Sequence, residues 1–108
     1  MPGDGKAAGA MTDVEVRDQP AEHRYEAWVD GRRAGILRYQ TSGDLVDLTH
    51  TEVDPEFEGR GVGSALARAA LDAARSEHRA VVPSCPFVRA WIERHPSYAP
   101  LVRQGTGA

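Results

Sequence analysis

A chain of 108 residues, with 41% hydrophobic and 27% charged residues, is long enough to bury one hydrophobic core and too short for two. Its net charge of −3 argues against a nucleic-acid-binding surface, its single cysteine excludes an internal disulfide, and no apolar run reaches the length of a membrane span. The sequence therefore predicts a cytoplasmic protein, a monomer or homodimer, without a resident metal and without nucleic-acid or membrane partners.

The two ends of the chain differ in composition from its middle. Residues 1–12 are rich in glycine and alanine, and residues 104–108 are similar. Such segments bury too little apolar surface to order themselves. We therefore expect a disordered N-terminal tail, a single domain over residues 13–103 and a short C-terminal tail.

Four segments in the first half of the domain have the alternating pattern and the β-branched or aromatic content of strands. They are residues 14–17, 24–29, 35–40 and 45–53. Asp30-Gly31 is a strong hairpin signal between the second and third segments, because both residues tolerate a positive φ. Ser42-Gly43-Asp44 marks the next turn. The pattern predicts an antiparallel meander of four strands.

The second half begins with a helix predicted over residues 61–79. Apolar residues recur every three or four positions on one face, and a charged stripe lies opposite, with spacings that allow ion pairs one turn apart. The apolar set is Val62, Leu66, Ala69, Ala70 and Ala73, and the charged set is Arg68, Asp72, Arg75 and Arg79.

Residues 80–83 are predicted as a fifth strand, parallel to the fourth through a right-handed crossover. A second, shorter helix over residues 86–95 ends at Pro96, and residues 98–103 form a last turn. The predicted fold class is α/β (α+β), a mostly antiparallel five-stranded sheet packed by one long and one shorter helix.

A glycine-rich turn joins the fourth strand to the first helix. Its sequence is Glu58-Gly59-Arg60-Gly61-Val62-Gly63-Ser64. The first N–H groups of a helix have no intrahelical partner, the helix dipole favours an anion there, and glycines let a ligand approach the backbone. The turn lacks the lysine of a P-loop, and the chain lacks the βαβ unit of a dinucleotide-binding motif. A ligand with a pyrophosphate is the first hypothesis, and an ordinary glycine-rich connection is the alternative.

Three segments, in this order, resemble the GCN5-related N-acetyltransferase (GNAT) family, in particular a small single-domain branch of it. They are His50-Thr51-Glu52-Val53, the pattern Glu58-x-x-Gly61-x-Gly63, and residues 82–98, which contain Cys85-Pro86-Phe87. The family usually has Gln or Arg where this chain has Glu58. The resemblance implies a minimal fold of this family with the fourth and fifth strands splayed, acetyl-coenzyme A as co-substrate, and an amine as acceptor.

The resemblance also implies which residues contact the cofactor. Backbone amides of the fourth strand would hold the pantetheine arm, and the glycine-rich turn would hold the pyrophosphate. The residues implied are Thr51, Val53, Glu58, Gly59, Arg60, Gly61, Val62, Gly63 and Ser64. Larger members build their acceptor pocket from extra helices and strands that do not appear in this sequence. An open acceptor site, or one that a partner completes, is therefore expected.

Cys85 is the first candidate for the chemistry. Larger members often use a tyrosine as the acid toward the departing thiolate, and the matching place here falls at Ile92, which cannot donate a proton. Pro86 suits the first position of a helix, which makes Cys85 its N-cap, where the helix dipole favours a thiolate. Cys85 is expected to act as a proton donor or as a nucleophile that forms an acetyl-cysteine. The alternative is a buried cysteine that packs as a small hydrophobe.

His50 is the second candidate. It alternates with Glu52 on the fourth strand, so the two side chains share a face, and an imidazole can accept the proton of an attacking ammonium. The alternatives are a histidine that only hydrogen-bonds on the sheet surface, or a role for Glu52 or Asp47 through water.

The remaining aromatic residues are expected in the core. They are Tyr25, Trp28, Tyr39, Phe87 and Trp91. Arg94 and His95 end the second helix, where cations are favoured with or without a nucleotide nearby. Two rival readings of the whole chain stay open, a non-catalytic coenzyme A-binding or sensor module and a purely structural α/β domain.

Overall fold

Five strands form one sheet in the order β1-β2-β3-β4-β5. The computed structural model describes residues 13–103, and both predicted tails lie outside the described residues. The strands are β1 (Glu15–Gln19), β2 (Arg24–Val29), β3 (Arg32–Ser42), β4 (Leu45–Val53) and β5 (Ala80–Val82). Strands β1 to β4 are antiparallel neighbours, and β5 pairs in parallel with the beginning of β4. The predicted fold class is confirmed.

The hairpin between β2 and β3 is tighter and longer than the sequence pattern indicates. Asp30 and Gly31 have φ of 50° and 80°, as a two-residue hairpin turn requires. Pairing therefore begins next to the turn, at Val29 and Arg32, three residues before the predicted start of the third strand. The sequence pattern underestimates the length of β3, because the side chains at both ends of the strand are exposed and polar and show no alternation of polarity.

Two α-helices follow the meander, α1 (Val62–Ser76) and α2 (Pro86–Arg94), and the turns Pro20–Glu22, Pro55–Phe57 and Pro96–Leu101 are 3₁₀ helices. The helix α1 ends three residues before its predicted end. His78 is left-handed with φ of 58°, and the N–H groups of His78 and Arg79 donate to the carbonyls of Arg75 and Ala74. This pair of bonds is the Schellman arrangement that closes a helix.

The buried face of α1 is rotated from the predicted one. Its buried residues are Val62, Leu66, Ala67, Ala70, Leu71 and Ala74, whereas Ala69 and Ala73 are only half-buried. The helix packs against both the sheet and the C-terminal segment. The hydroxyl of Tyr98 donates to Asp72 Oδ1 at 2.7 Å, and the guanidinium groups of Arg68 and Arg75 lie over the rings of Trp91 and Tyr98. These contacts take the place of the ion pairs that the spacing allows.

The two faces of the sheet have different surroundings. One face, which includes Leu37, Tyr39 and Leu48, shares a single apolar core with α1, α2 and Tyr98. The other carries exposed polar side chains, among them Arg38 and His50. We call the first the core face and the second the polar face. No helix within residues 13–103 is long and apolar enough to cross a membrane.

Glu26 is a buried carboxylate on the polar face, 5% exposed. The guanidinium of Arg24 donates to it twice, at 2.9 and 2.7 Å, and Trp28 Nε1 donates at 3.2 Å. The hydrogen bonds from Arg24 lower the pKa of Glu26 below its ordinary value of 4.5, while burial opposes them. Because the folded-state pKa lies below the unfolded value, this stabilisation is present above about pH 4.5 and is lost as the pH falls through the folded-state pKa.

We expect Glu26→Gln to lower the free energy of unfolding by about 2 kcal/mol near neutral pH, because a buried hydrogen bond to a charged group contributes about that much. The difference from the original chain should shrink as the pH falls below about 4.5 toward the folded-state pKa of Glu26. Urea denaturation at about pH 7 and about pH 3 measures both values. Glu15→Gln is the control, because Glu15 pairs with Arg17 at the exposed edge of the same face, and it should change nothing measurable. An equal effect of Glu26→Gln at both pH values would contradict the electrostatic explanation.

Candidate active site

The glycine-rich turn leaves backbone N–H groups at the start of α1 that could hold an anion, and we call this group the anion seat. Gly59 and Gly61 have φ of 83° and 81°, backbone angles that residues with a Cβ rarely adopt. The first helical hydrogen bond runs from Ala65 N–H to the carbonyl of Gly61 at 3.0 Å. The N–H groups of Val62, Gly63 and Ser64 precede that bond, so they are the donors that a helix leaves without an internal partner. The dipole of the 15-residue helix α1 adds positive potential at the same place.

An open edge of β4 runs toward this seat. The pairing of β4 with β5 ends at Asp47 and Val82, and the Cys85 N–H closes the gap with a 2.9 Å bond to the carbonyl of Leu48. At the far end of β4, Asp54 N–H donates to Ala34 on the β3 side. Backbone groups alternate sides along a strand, so those of Thr51 and Val53 point to the open edge. The sheet thus separates between β4 and β5, next to the residues that the family resemblance singles out.

A β-bulge at Thr49 sets the orientation of the last residues of β4. Leu48 pairs with Tyr39 and His50 pairs with the next residue, Arg38, so Thr49 is one extra residue. Strict alternation from buried Leu48 would turn His50 into the core. The bulge instead turns His50 and Glu52 to the polar face and Thr51 to the core face, opposite Leu37.

The seat and the open edge meet in a cleft of about 540 Å³. Val53, Glu58, Gly59, Gly63 and Ser64 line one wall, and Phe87, Trp91, Arg94 and His95 of the α2 segment line the other. The cleft therefore unites four predicted turn residues with a strand residue, and it adds α2 as its second wall.

Phe87 corrects one sequence-based expectation. The sequence predicts a core position for it, yet its side chain is 37% exposed. Its ring covers Gly63 so closely that a Cβ there would lie 2.9 Å from Phe87 Cζ. Phe87 lies outside the core because Val88, Trp91 and Ile92 already fill the buried face of α2. Of the other aromatics, Trp91 and Tyr39 are buried as expected, and Tyr25 and Trp28 are half-buried.

A hydrogen bond and a ring stack hold the second wall in place. Trp91 Nε1 donates to Ser64 Oγ at 2.8 Å, which ties α2 to the first turn of α1 and leaves the Ser64 hydroxyl hydrogen free to donate elsewhere. The His95 ring stacks on Trp91 with centroids 3.7 Å apart, and His95 Nδ1 lies 2.8 Å from the Trp91 carbonyl. These contacts orient His95 at the cleft.

The two charged residues of the turn, Glu58 and Arg60, both have exposed side chains. The guanidinium of Arg60 lies over the ring of Phe57, with its Cζ 5.5 Å from the centroid. The Glu58 side chain is exposed at the rim of the cleft. Among the residues that line the cleft, Arg94 carries a permanent positive charge. Anion binding in this cleft would therefore depend on backbone N–H groups first and on Arg94 second.

Cys85 lies where the sequence places it, at the N-cap of α2, and it is buried, with 3% exposure. Its Sγ is 3.4 Å from Thr51 Oγ1, so the thiol is on the core face of the open edge of β4. Ile92 is buried too and offers no proton.

His50 lies on the other side of the same strand. It is exposed, and its Nε2 is 3.0 Å from Glu52 Oε2, as the shared face predicts. The structure therefore does not bring the two candidates together. Cys85 and His50 border the open edge of β4 from the core face and from the polar face. Asp47 lies before the bulge, and its Oδ1 is buried without a hydrogen-bond partner among the described residues.

Sequence reasoning missed Phe87 as a cleft residue and Trp91 as the anchor of Ser64. One local signal was available, because Phe87 and Trp91 are four residues apart and so lie on the same side of α2. Nothing in the sequence shows that this side of α2 meets the start of α1.

Comparison with known proteins supports the same reading of the chain. A family profile described as GCN5-related N-acetyl-transferase matches residues 24–101. Protein NATD1 of chicken and of human is 36% identical over 62 residues, which are 56% of this chain and 56% or 55% of those proteins. The chain thus spans little more than half the length of the curated relatives it matches.

Two solved structures share the fold. The solution structure of a GCN5-like protein from Staphylococcus aureus superimposes with a TM-score of 0.65 and 23% identity, over 82% of this chain and 87% of that one. The ribosomal-protein-S18-alanine N-acetyltransferase of Escherichia coli gives a TM-score of 0.57 and 20% identity, over 88% of this chain and 61% of that one. The profile match over residues 24–101 shows the family: the chain belongs to the GCN5-related N-acetyltransferases.

Proposed function

We propose that this protein transfers the acetyl group of acetyl-coenzyme A to an amine, in a ternary complex and without a covalent intermediate. The observation that carries the proposal is the continuity between the free N–H groups of α1 and the open edge of β4. The free N–H groups suit a pyrophosphate, and the open strand edge suits an extended ligand arm that contains amide groups.

The residues present fit such a ligand. The N–H groups of Val62, Gly63 and Ser64 would hold the pyrophosphate, with Arg94 adding a positive charge at the rim. The backbone groups of Thr51 and Val53 would pair with the pantetheine arm as a neighbouring strand does. The exposed ring of Phe87 would cover apolar parts of the ligand, which accounts for a large aromatic left partly in water.

Acetyl-coenzyme A would supply an activated thioester, and the chain's own groups would handle its charges. The Val53 N–H would polarise the carbonyl oxygen. As the amine nitrogen bonds to the carbonyl carbon and the carbon–sulfur bond breaks, His50 would take the ammonium proton. The Cys85 thiol would give its proton to the departing thiolate. This division of roles uses the placement of the two residues on opposite faces of β4.

The acceptor would approach from the polar face, where His50 and Glu52 are exposed. We propose that the site there is shallow, that residues 13–103 act as a single cytoplasmic domain, and that the active form is a monomer or a homodimer. A non-catalytic coenzyme A-binding module is the second candidate. The observation that favours it is Ile92, a residue without a proton to give at the place where related enzymes carry a tyrosine.

Two measurements on the full chain separate these functions. Titration calorimetry should show binding of coenzyme A, and acetyl-coenzyme A should release free thiol when polyamines, amino acids, peptides or lysine-rich proteins are added. Binding without thiol release for any amine would favour the module. The absence of binding would overturn both candidates and leave a structural domain.

A further inference from the structure

A second cavity, of about 280 Å³, lies between the sheet and the C-terminal half of α1. Its α1 wall is made of Ala70 and Ala74, whose small side chains leave room above Tyr25 and Tyr39 of the core face. Ala74 follows Gly63 by eleven residues, about 16 Å along a helix. We call it the tyrosine cavity, and it is separate from the cleft at the start of α1.

Aromatic rings form one side of the tyrosine cavity. The rings of Tyr25 and Tyr39 are 5.1 Å apart at 49°, and the His23 ring meets Tyr39 edge-on at 6.4 Å. The Tyr39 hydroxyl is occupied, because it donates to Asp18 Oδ1 at 2.6 Å. The described residues give the Tyr25 hydroxyl no hydrogen-bond partner, so it is available to a ligand.

The charges around the cavity leave an excess of negative charge. Asp18 and Glu77 are the lining carboxylates, and Arg79 is the lining cation. Arg79 donates to Glu77 at 3.1 Å and to the carbonyl of Gly43 at 3.3 Å, so its charge is directed at Glu77. Asp18 receives only a neutral hydroxyl among these groups.

The pKa values of the two tyrosines reflect this negative charge as well as their burial. Burial first, and the charges of Asp18 and Glu77 second, raise the pKa of Tyr25 to about 12 against the opposing effect of Arg79. The pKa of Tyr39 is raised by burial, by its bond to Asp18 and by the charges of the same carboxylates. A negative potential therefore acts on two electron-rich rings.

We propose that the tyrosine cavity binds an organic cation of the alkylammonium class. Electron-rich ring faces attract such a head group, and the carboxylate of Asp18 neutralises it. The excess negative charge would repel an anion, and a neutral ligand would gain at most a hydrogen bond from Asp18, as the Tyr39 hydroxyl does. The inference does not depend on acetyl transfer, because it rests on a separate cavity.

The test is a titration of the isotope-labelled full chain, followed by NMR, with choline and with 3,3-dimethylbutan-1-ol, which has the same shape without the charge. Choline should shift the resonances of Tyr25, Tyr39 and Ala74 in a saturable way, and the alcohol should not. Equal shifts from both compounds, shifts elsewhere only, or no shifts would overturn the proposal.

Variants make the result specific. Asp18→Asn keeps an acceptor for Tyr39 and removes the charge, and it should weaken choline binding at least about fivefold. Asp30→Asn, a matched loss of charge at the hairpin turn, should leave binding unchanged. Ala74→Leu should fill the cavity and block choline while all charges remain. Spectra without ligand report whether each variant is folded, and unchanged binding in Asp18→Asn and Ala74→Leu would overturn the assignment.

Discussion

Gly63→Val should lower the affinity of the chain for coenzyme A at least about a hundredfold, which is about 2.7 kcal/mol. A Cβ at this position would lie 2.9 Å from the Phe87 ring and beside N–H groups that the ligand needs. A branched side chain would displace the ring and cover these donors, and each hydrogen bond to a charged group contributes about 1.5–3 kcal/mol. Titration calorimetry with coenzyme A measures the change directly.

Ala69→Val is the matched control for this substitution. It places the same β-branched side chain on the same helix, at a half-buried position away from the cleft. Helix propensity favours valine over glycine and alanine over valine, each by less than about 1 kcal/mol, so neither variant should unfold for that reason. Only Gly63→Val should lose affinity. Retained affinity in a folded Gly63→Val protein would remove the anion seat from the proposed function.

Cys85→Ala should reduce kcat for thiol release by about a hundredfold, the usual contribution of a positioned general acid. Coenzyme A affinity should stay within about threefold, because the thiol lies at the far side of the open edge from the anion seat and makes none of its backbone contacts. The buried position adds a small structural effect, about 1 kcal/mol for the lost sulfur. Steady-state kinetics together with a thermal melt separates the two effects.

Ser84→Ala, at the exposed neighbouring position, is the control and should keep the original rate. His50→Gln should also slow the reaction. Burst experiments should distinguish its effect on the rate from that of Cys85→Ala. A burst of one acetyl group per chain that Cys85→Ala abolishes would replace direct transfer by the acetyl-cysteine route. An unchanged rate in Cys85→Ala would show that Cys85 is a packing residue.

The local elements of this protein could be predicted because their signals are local. The period of two in β2 and β4, the Asp30-Gly31 turn and the glycines of the anion seat each act through the backbone conformations of a few neighbouring residues. The same holds for the N-cap position of Cys85, which Pro86 determines. The parallel pairing of β5 followed from a general rule of crossover connections.

The arrangement of the candidate site depended on contacts between distant segments. Phe87 and Trp91 became a cleft wall only because α2 packs against the first turn of α1, through Trp91 and Ser64. The burial of α1 shifted because the C-terminal segment competes with the sheet for its surface, as the bond from Tyr98 to Asp72 shows.

The sequence by itself determined the order of the elements and the glycine-rich turn at the start of α1, since both follow from residues adjacent in the chain. Tertiary structure alone decided on which faces of β4 Cys85 and His50 lie. The bulge at Thr49 is a property of the register between β3 and β4, and one extra residue reverses every side chain that follows it. Register depends on the packing of the whole sheet, so no local pattern encodes it.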